Sequence, residues 1–229
     1  MSSPAGSGSL YHVVEREPPE VMARNLRIAA RLFASAMVFA FIAFLFAFFY
    51  LRALDASAVW QPATVKPSLA LGSAAMLILV AAAIMIRLGL RDHRAERRPA
   101  WRIKGAIALA LLILFIVVQF VSWTTQAFGP SDGPYASVFF GWTALLTLFV
   151  VGLTYWLETT LATSIRYRNQ GAQAAIDPGH ASGDAHRTAP DIDSPVALVR
   201  PAIEAVTTFS TAVAGVGIVT WIVLYLLPA

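Results

Sequence analysis

Few side chains in this sequence could bind a metal ion or act in catalysis. Cysteine is absent, and the four histidines are His12, His93, His180 and His186. All four lie in predicted tails or connections, outside the long apolar segments in which a buried metal or haem site would need them. No glycine-rich phosphate-binding loop is visible. The residue types therefore predict no catalytic, cofactor-binding or metal-binding site in this chain.

A polar stretch at 167–200 offers one weak alternative. His180 and His186 lie there, close to several carboxylates. These are Asp177, Asp184, Asp191 and Asp193. A metal ion would have to order a segment rich in Gly, Ala and Pro, so a solvated linker is the favoured interpretation.

Polar side chains inside apolar segments are the other candidates. Glu158 lies toward the end of a long apolar run, and an intramembrane carboxylate is a functional hypothesis by default. The favoured interpretation is structural, with Glu158 reaching the interface or pairing with Arg166. Glu204 opens the last apolar segment, where negative charge suits the helix dipole. Gln119 lies within an apolar run, and we expect its amide to hydrogen-bond a neighbouring helix.

Membrane helices must position these side chains. Of 229 residues, 58% are hydrophobic and 13% are charged, and the mean hydropathy is +0.66, which excludes an ordinary soluble domain. Backbone in lipid must satisfy its own hydrogen bonds, so each run of roughly 20 apolar residues is predicted to be a helix. The five predicted spans are Leu32–Leu54, Leu69–Leu90, Ile107–Phe128, Tyr135–Ile165 and Ala205–Leu227. The predicted fold is an all-α integral membrane protein with five transmembrane helices.

The remaining segments are predicted to be polar appendages of this bundle. Residues 1–23 are interpreted as a disordered cytoplasmic tail, because their composition cannot bury enough apolar surface to offset ordering entropy. The membrane domain then covers 24–229, with a polar, flexible insertion at 167–200.

The basic residues predict how the helices are oriented. With the N-terminus in the cytoplasm, all of the 17 Lys and Arg except Arg52 and Lys66 lie inside, which favours a cytoplasmic N-terminus and an outside C-terminus. The cluster from Arg87 to Lys104 could also bind lipid headgroups or an acidic partner, although fixing the topology is the favoured role. The pI near 9.8 therefore does not indicate nucleic-acid binding.

A short turn, Gly129–Pro134, joins the third and fourth spans into a membrane hairpin, since Gly and Pro reverse the chain. The residues around it resemble the haem–copper oxidase (cytochrome c oxidase) subunit III family, which has a helix Gln and then S-D-G-x-Y-G-S-x-F-F. The matching positions are Gln119, Ser131, Asp132, Gly133, Tyr135, Ser137, Phe139 and Phe140. Further resemblances are Tyr50-Leu51-Arg52 followed by Trp60, and Glu204 with Tyr225.

Several positions depart from the family pattern. The family Glu three residues after Gln119 is Ser122, and a helix-buried family Glu falls at Met37. The two family histidines of the fourth span are Leu146 and Phe149. Roles that depend on those carboxylates or imidazoles are therefore not implied. The five spans correspond to the last five helices of the seven-helix long form, as in shorter bacterial members.

The resemblance implies a non-catalytic subunit of a respiratory terminal oxidase in a bacterial plasma membrane. Haem and copper are expected in the catalytic subunit I, which is the implied partner together with membrane lipids. The candidate structural or interface residues are Gln119, Ser122, Tyr135, Glu158 and Glu204. Two alternatives stay open: the related accessory protein of nitric oxide reductase and, from another class, a small transporter. The lack of an internal repeat and of midplane charge argues against a transporter.

Overall fold

Five long helices form the protein in the computed structural model, which describes residues 18–54, 60–62, 65–176 and 196–227. The helices are α1 (Pro19–Ala53), α2 (Leu69–Arg94), α3 (Arg98–Thr125), α4 (Pro134–Ile176) and α5 (Val196–Trp221), and a π-helical turn (Ile222–Leu226) continues α5. These described ranges contain no strand. All five helices are long and apolar enough to cross a membrane, as predicted.

Helices α4 and α5 lie at the centre of the bundle. Helix α5 packs against α1, α2 and α4, while α3 packs against α2 and α4. In each of α4 and α5, 50% of the most apolar stretch is buried inside the protein, against 22% in α1. Much of the surface of α1 is therefore left to contact lipid or another protein.

The bundle has two ends that differ in composition. At one end, which we call the basic end, α1, α3 and α5 begin and α2 and α4 finish. At the other, which we call the hairpin end, lie the α1–α2 and α3–α4 connections. Arg52 and Lys66 belong to the hairpin end, whereas the arginines near the start of α1 and the close of α2 belong to the basic end.

Helix α1 begins earlier than the sequence predicted. It starts at Pro19, inside the predicted tail of residues 1–23. A proline suits the first helical position because its missing N–H would have no helical partner there. Glu20 in the first turn also favours a helix start through the helix dipole.

The fourth and fifth helices both extend into the predicted insertion at 167–200. Helix α4 continues to Ile176, and α5 begins at Val196, nine residues before the predicted start at Ala205. The intervening residues 177–195 lie outside the described part of the chain.

A connection of only three residues joins α2 and α3 closely at the basic end. Glu96 within it has a φ of 57°, a left-handed conformation that reverses the chain. Lys104 donates to Asp92 across the two helices. A Cβ on Gly89 would lie 2.6 Å from Cε3 of Trp101, so glycine allows the indole to pack directly on α2.

Candidate functional site

Tyr135, the tyrosine of the family motif, joins three parts of the chain at the hairpin end. Its backbone N–H donates to the carbonyl oxygen of Trp60 at 3.3 Å, and its hydroxyl donates to the carbonyl oxygen of Leu224. The Trp60 and Tyr135 rings meet edge to face with centroids 5.8 Å apart. On its other side Trp60 packs against Phe48 at 5.2 Å. The motif tyrosine thus connects the α1–α2 connection, α4 and the end of α5.

The turn before Tyr135 is held by its own polar groups. The N–H of Gly129 donates to Oδ2 of Asp132 at 2.7 Å, and Oγ of Ser137 donates to the carbonyl oxygen of Pro130 at 2.6 Å. Gly133 has a φ of 135°, a conformation that side chains with a Cβ rarely adopt. The motif residues Asp132, Gly133 and Ser137 therefore have a structural role, which is to reverse the chain between α3 and α4.

Gln119 and Ser122 lie on the buried face of α3. Gln119 is 5% exposed and Ser122 is 1% exposed. Within the described part of the chain, Nε2 of Gln119 makes no hydrogen bond. Ser122 accepts a hydrogen bond from Nε2 of Gln126, in the same helix, at 3.3 Å. The amide nitrogen therefore does not supply the interhelical hydrogen bond that we expect of Gln119.

A small, mostly apolar cavity adjoins Gln119 between α2, α3, α4 and α5. Its volume of about 20 Å³ is enough for one water molecule. Thr143, Thr220 and Tyr225 contribute polar groups to its lining. Two of these hydroxyls already accept indole N–H groups, from Trp123 to Thr143 at 3.0 Å and from Trp142 to Thr220 at 2.8 Å.

Two glycines allow α2 and α5 to approach each other beside this cavity. A Cβ on Gly72 would overlap the ring of Tyr225, and one on Gly217 would lie 2.7 Å from Cδ2 of Leu79. Thr207, Thr211 and Gly215 are also small residues spaced four apart on α5, yet a Cβ on Gly215 would meet nothing within 4 Å. Only the relative rotation of the helices identifies which small residues matter.

Glu204 lies in the third turn of α5 rather than at its start, so the predicted interaction with the helix dipole is wrong. Its carboxylate is 3.2 Å from Nη2 of Arg94, 3.5 Å from Nη1 of Arg27 and 3.5 Å from Nε of Arg200. The Glu204 side chain is 17% exposed. It therefore links α1 and α2 to α5 at the basic end.

Glu158 points away from the bundle. It is exposed on α4 and makes no ion pair with any described side chain. Arg166 follows eight residues later, about 12 Å along a helix, which is too far for the predicted pairing. Glu158 continues an exposed stripe formed by Leu148, Val151 and Tyr155, whose spacing of three and four residues gives one face.

No group of three or more His, Cys, Asp and Glu comes together in the part of the chain that the structure describes. His93 lies there, near the end of α2, with its ring centroid 6.5 Å from that of Trp101. The weak site suggested for His180 and His186 falls in residues 177–195, outside the described ranges.

A comparison with protein families gives a match. The chain fits the family model of cytochrome c oxidase subunit III over residues 16–174, which includes α1, α2, α3 and most of α4. A search of curated proteins finds no match. The fitted region contains Gln119, Ser122 and Tyr135 and ends before α5, so the correspondences at Glu204 and Tyr225 stay predictions.

Proteins of this family are multi-pass membrane proteins that associate with the catalytic subunits of haem–copper oxidases and carry no cofactor themselves. The match covers well over half of the chain, and the hairpin with its Tyr135 anchor lies inside it. The five membrane-length helices agree with that assignment. The chain therefore belongs to the cytochrome c oxidase subunit III family.

Proposed function

We propose that this chain is a non-catalytic subunit of a respiratory terminal oxidase and that it stabilises the haem- and copper-binding catalytic subunit I during turnover. Family membership supports the class of complex. The outward stripe of α4, and Glu158 in particular, supports a protein partner on that face.

The stripe combines apolar side chains with one carboxylate. Leu148 is 65% exposed and Tyr155 is 69% exposed, and Glu158 lies one turn beyond Tyr155. Lipid alone could cover the apolar residues. A charged side chain in a membrane helix costs about 3 kcal/mol or more unless it finds water, a cation or a hydrogen-bond donor. A partner helix that offers such a donor covers Leu148, Tyr155 and Glu158 together.

The proposed role of this contact is mechanical rather than chemical. In this proposal the partner carries the haem and copper, as membership of the family suggests. A subunit that covers an apolar face of the catalytic subunit limits its unfolding and its exposure to lipid. Loss of the chain should therefore leave the haem spectrum nearly intact while shortening the working lifetime of the oxidase.

The proposed location is a bacterial plasma membrane, with the N-terminus on the cytoplasmic side. The concentration of arginines at the basic end supports this orientation, because cytoplasmic segments carry an excess of Lys and Arg.

Purification of the tagged chain in mild detergent tests the function directly. We expect a haem- and copper-bearing subunit to co-purify, and oxygen-consumption time courses to decay faster in a strain that lacks the chain. Purification without any haem-bearing partner contradicts the proposal. A solute flux in liposomes would then favour the transporter, and a haem partner with non-haem iron in place of copper would assign the chain to nitric oxide reductase.

A matched pair of variants tests the docking face. Tyr155→Ala combined with Glu158→Gln should lower the co-purified haem about tenfold, because it removes the largest side chain and the charge of the α4 stripe. The control is Phe120→Ala combined with Val117→Ala on the outward face of α3, where both side chains are more than half exposed. Equal losses from both double variants would contradict a specific α4 contact.

A further inference from the structure

A cleft at the basic end has the composition of an anion-binding site. It lies between α1, α2 and α5 and has a volume of about 730 Å³, within the range of small-molecule pockets. Five guanidinium groups line it, from Arg27, Arg31, Arg87, Arg91 and Arg94. We propose that this cleft binds a phosphate-bearing anion.

The charge of the cleft is poorly balanced within the chain. Glu204 is the one acidic side chain among its described lining residues, and it pairs with Arg27 and Arg94. Arg31, Arg87 and Arg91 make no ion pair with any residue that the structure describes. Cations gathered in a concave, partly apolar site raise the local positive potential and attract an anion.

Helix periodicity places the guanidinium groups on the two walls of the cleft. Arg27 and Arg31 are four residues apart on α1, and Arg87 and Arg91 are four apart on α2, so each pair shares one helix face. Two like charges at this spacing disfavour an isolated helix. A phosphate between the walls would turn both repulsions into attractions, since guanidinium groups bind phosphate oxygens through two parallel hydrogen bonds.

The threonine hydroxyls on the floor of the cleft are not available to bind the anion. Oγ1 of Thr208 donates to the carbonyl oxygen of Glu204 at 3.0 Å, and Oγ1 of Thr211 donates to that of Thr207 at 2.8 Å. These hydroxyls are used within α5, so the guanidinium groups supply the available donors. Ile84 and Leu88 line the side toward the middle of the bundle. A phosphate on a lipid and a soluble phosphate share the chemistry that the arginines recognise.

The test uses the purified full-length chain in neutral detergent, with two probes. One arm mixes phosphatidylglycerol or phosphatidylcholine into the micelles and measures retained lipid by mass spectrometry. The other titrates inorganic pyrophosphate and follows the thermal unfolding midpoint. Retention of phosphatidylglycerol alone assigns the site to a lipid phosphate, and stabilisation by pyrophosphate assigns it to a soluble anion. Failure of both probes overturns the proposal.

Variants that are expected to change the binding affinity in opposite directions test whether the cleft itself binds the anion. Arg31→Gln with Arg87→Gln should weaken binding about tenfold, whereas Glu204→Gln should strengthen it severalfold, because it removes the competing carboxylate. The control is Arg97→Gln with Arg98→Gln, which removes two exposed charges outside the cleft. Circular dichroism verifies that each variant is folded. Equal weakening by the control pair would mean that total positive charge, rather than this cleft, binds the anion, and it would overturn the proposal. Unchanged affinity in Arg31→Gln with Arg87→Gln would also overturn it.

Discussion

At the hairpin end, aromatic rings fill the space between the helices, whereas at the basic end arginines line an open cleft of about 730 Å³. Trp60 and Tyr135 are 4% and 0% exposed, and the tyrosine hydroxyl is bonded to the end of α5. Arg27 and Arg94 keep 49% and 52% of their side chains exposed even though both pair with Glu204. The space between the five helices is thus filled by side chains at one end and open to ligands at the other.

The difference separates residues that build the fold from residues that can meet something else. Exposed ion pairs contribute only up to about 1 kcal/mol each, while a buried aromatic ring contributes several times more. The motif residues from Ser131 to Phe140 lie at the packed end, so their resemblance to the family reflects how the bundle is packed. A ligand or partner is better sought at the basic end and on the outward face of α4.

The largest expected effect concerns the orientation of the two ends. Reporter fusions at residues 60, 95, 132 and 180 should give outside, inside, outside and inside signals, because the basic end carries nearly all Lys and Arg. Activity of an outside-only reporter at residue 95 would reverse the orientation. Fusions at 60 and 132 serve as mutual controls, since both lie at the hairpin end.

The next largest effect is expected at Tyr135. Tyr135→Ala should cost about 3–5 kcal/mol of unfolding free energy, since it removes a fully buried ring. Tyr135→Phe keeps the ring and loses the hydrogen bond to Leu224, which is worth about 0.6 kcal/mol on average in a membrane protein. Unfolding by SDS in mixed micelles measures both. Similar losses for the two variants would mean that the hydroxyl, rather than the ring, holds the hairpin end.

A smaller effect is expected where α2 meets α5. Gly72→Ala should destabilise the bundle by about 1–3 kcal/mol, because the new methyl group overlaps the ring of Tyr225. Gly215→Ala is the control, and it should be neutral or slightly stabilising, since open space surrounds that position and alanine favours helix. A thermal unfolding midpoint for each variant is sufficient. Equal destabilisation would contradict the close α2–α5 approach.

The smallest effect is expected from Gln119→Leu. Removing a buried amide nitrogen that makes no hydrogen bond should leave stability unchanged or raise it slightly. Thr143→Val is the comparison, because it removes the acceptor of the Trp123 indole N–H and should cost about 0.6 kcal/mol. The same SDS titration compares them. A loss above about 2 kcal/mol for Gln119→Leu would indicate that the adjoining cavity holds a bridging water.

Hydropathy was sufficient to predict the five helices, because a bilayer-length apolar run leaves the backbone few alternatives. It did not locate the start of α1 at Pro19 or of α5 at Val196, since these turns lie beyond the apolar runs. Pro201, with its charged neighbours Arg200 and Glu204, also makes the first turns of α5 resemble a connection.

The sequence was sufficient to select the candidate residues but not to predict which side chains they contact. Gln119 was expected inside the bundle and is buried there, but whether its amide finds a partner depends on how α3 is rotated. Glu204 was interpreted from its local position, whereas its partner Arg94 lies 110 positions away in sequence. Paired arginines four residues apart at the ends of two apolar runs were the available signal for the cleft.

The central position of α5 has a consequence for the order of synthesis. This helix follows the other four in sequence. Yet the carbonyl oxygen of Leu224, in the turn that continues α5, accepts a hydrogen bond from the hydroxyl of Tyr135. Oγ1 of Thr220 in α5 accepts one from the indole N–H of Trp142. A nascent chain that ends before α5 therefore presents unpaired donors of α4 to the lipid. An incomplete chain therefore differs from a finished one in its exposed hydrogen-bond donors.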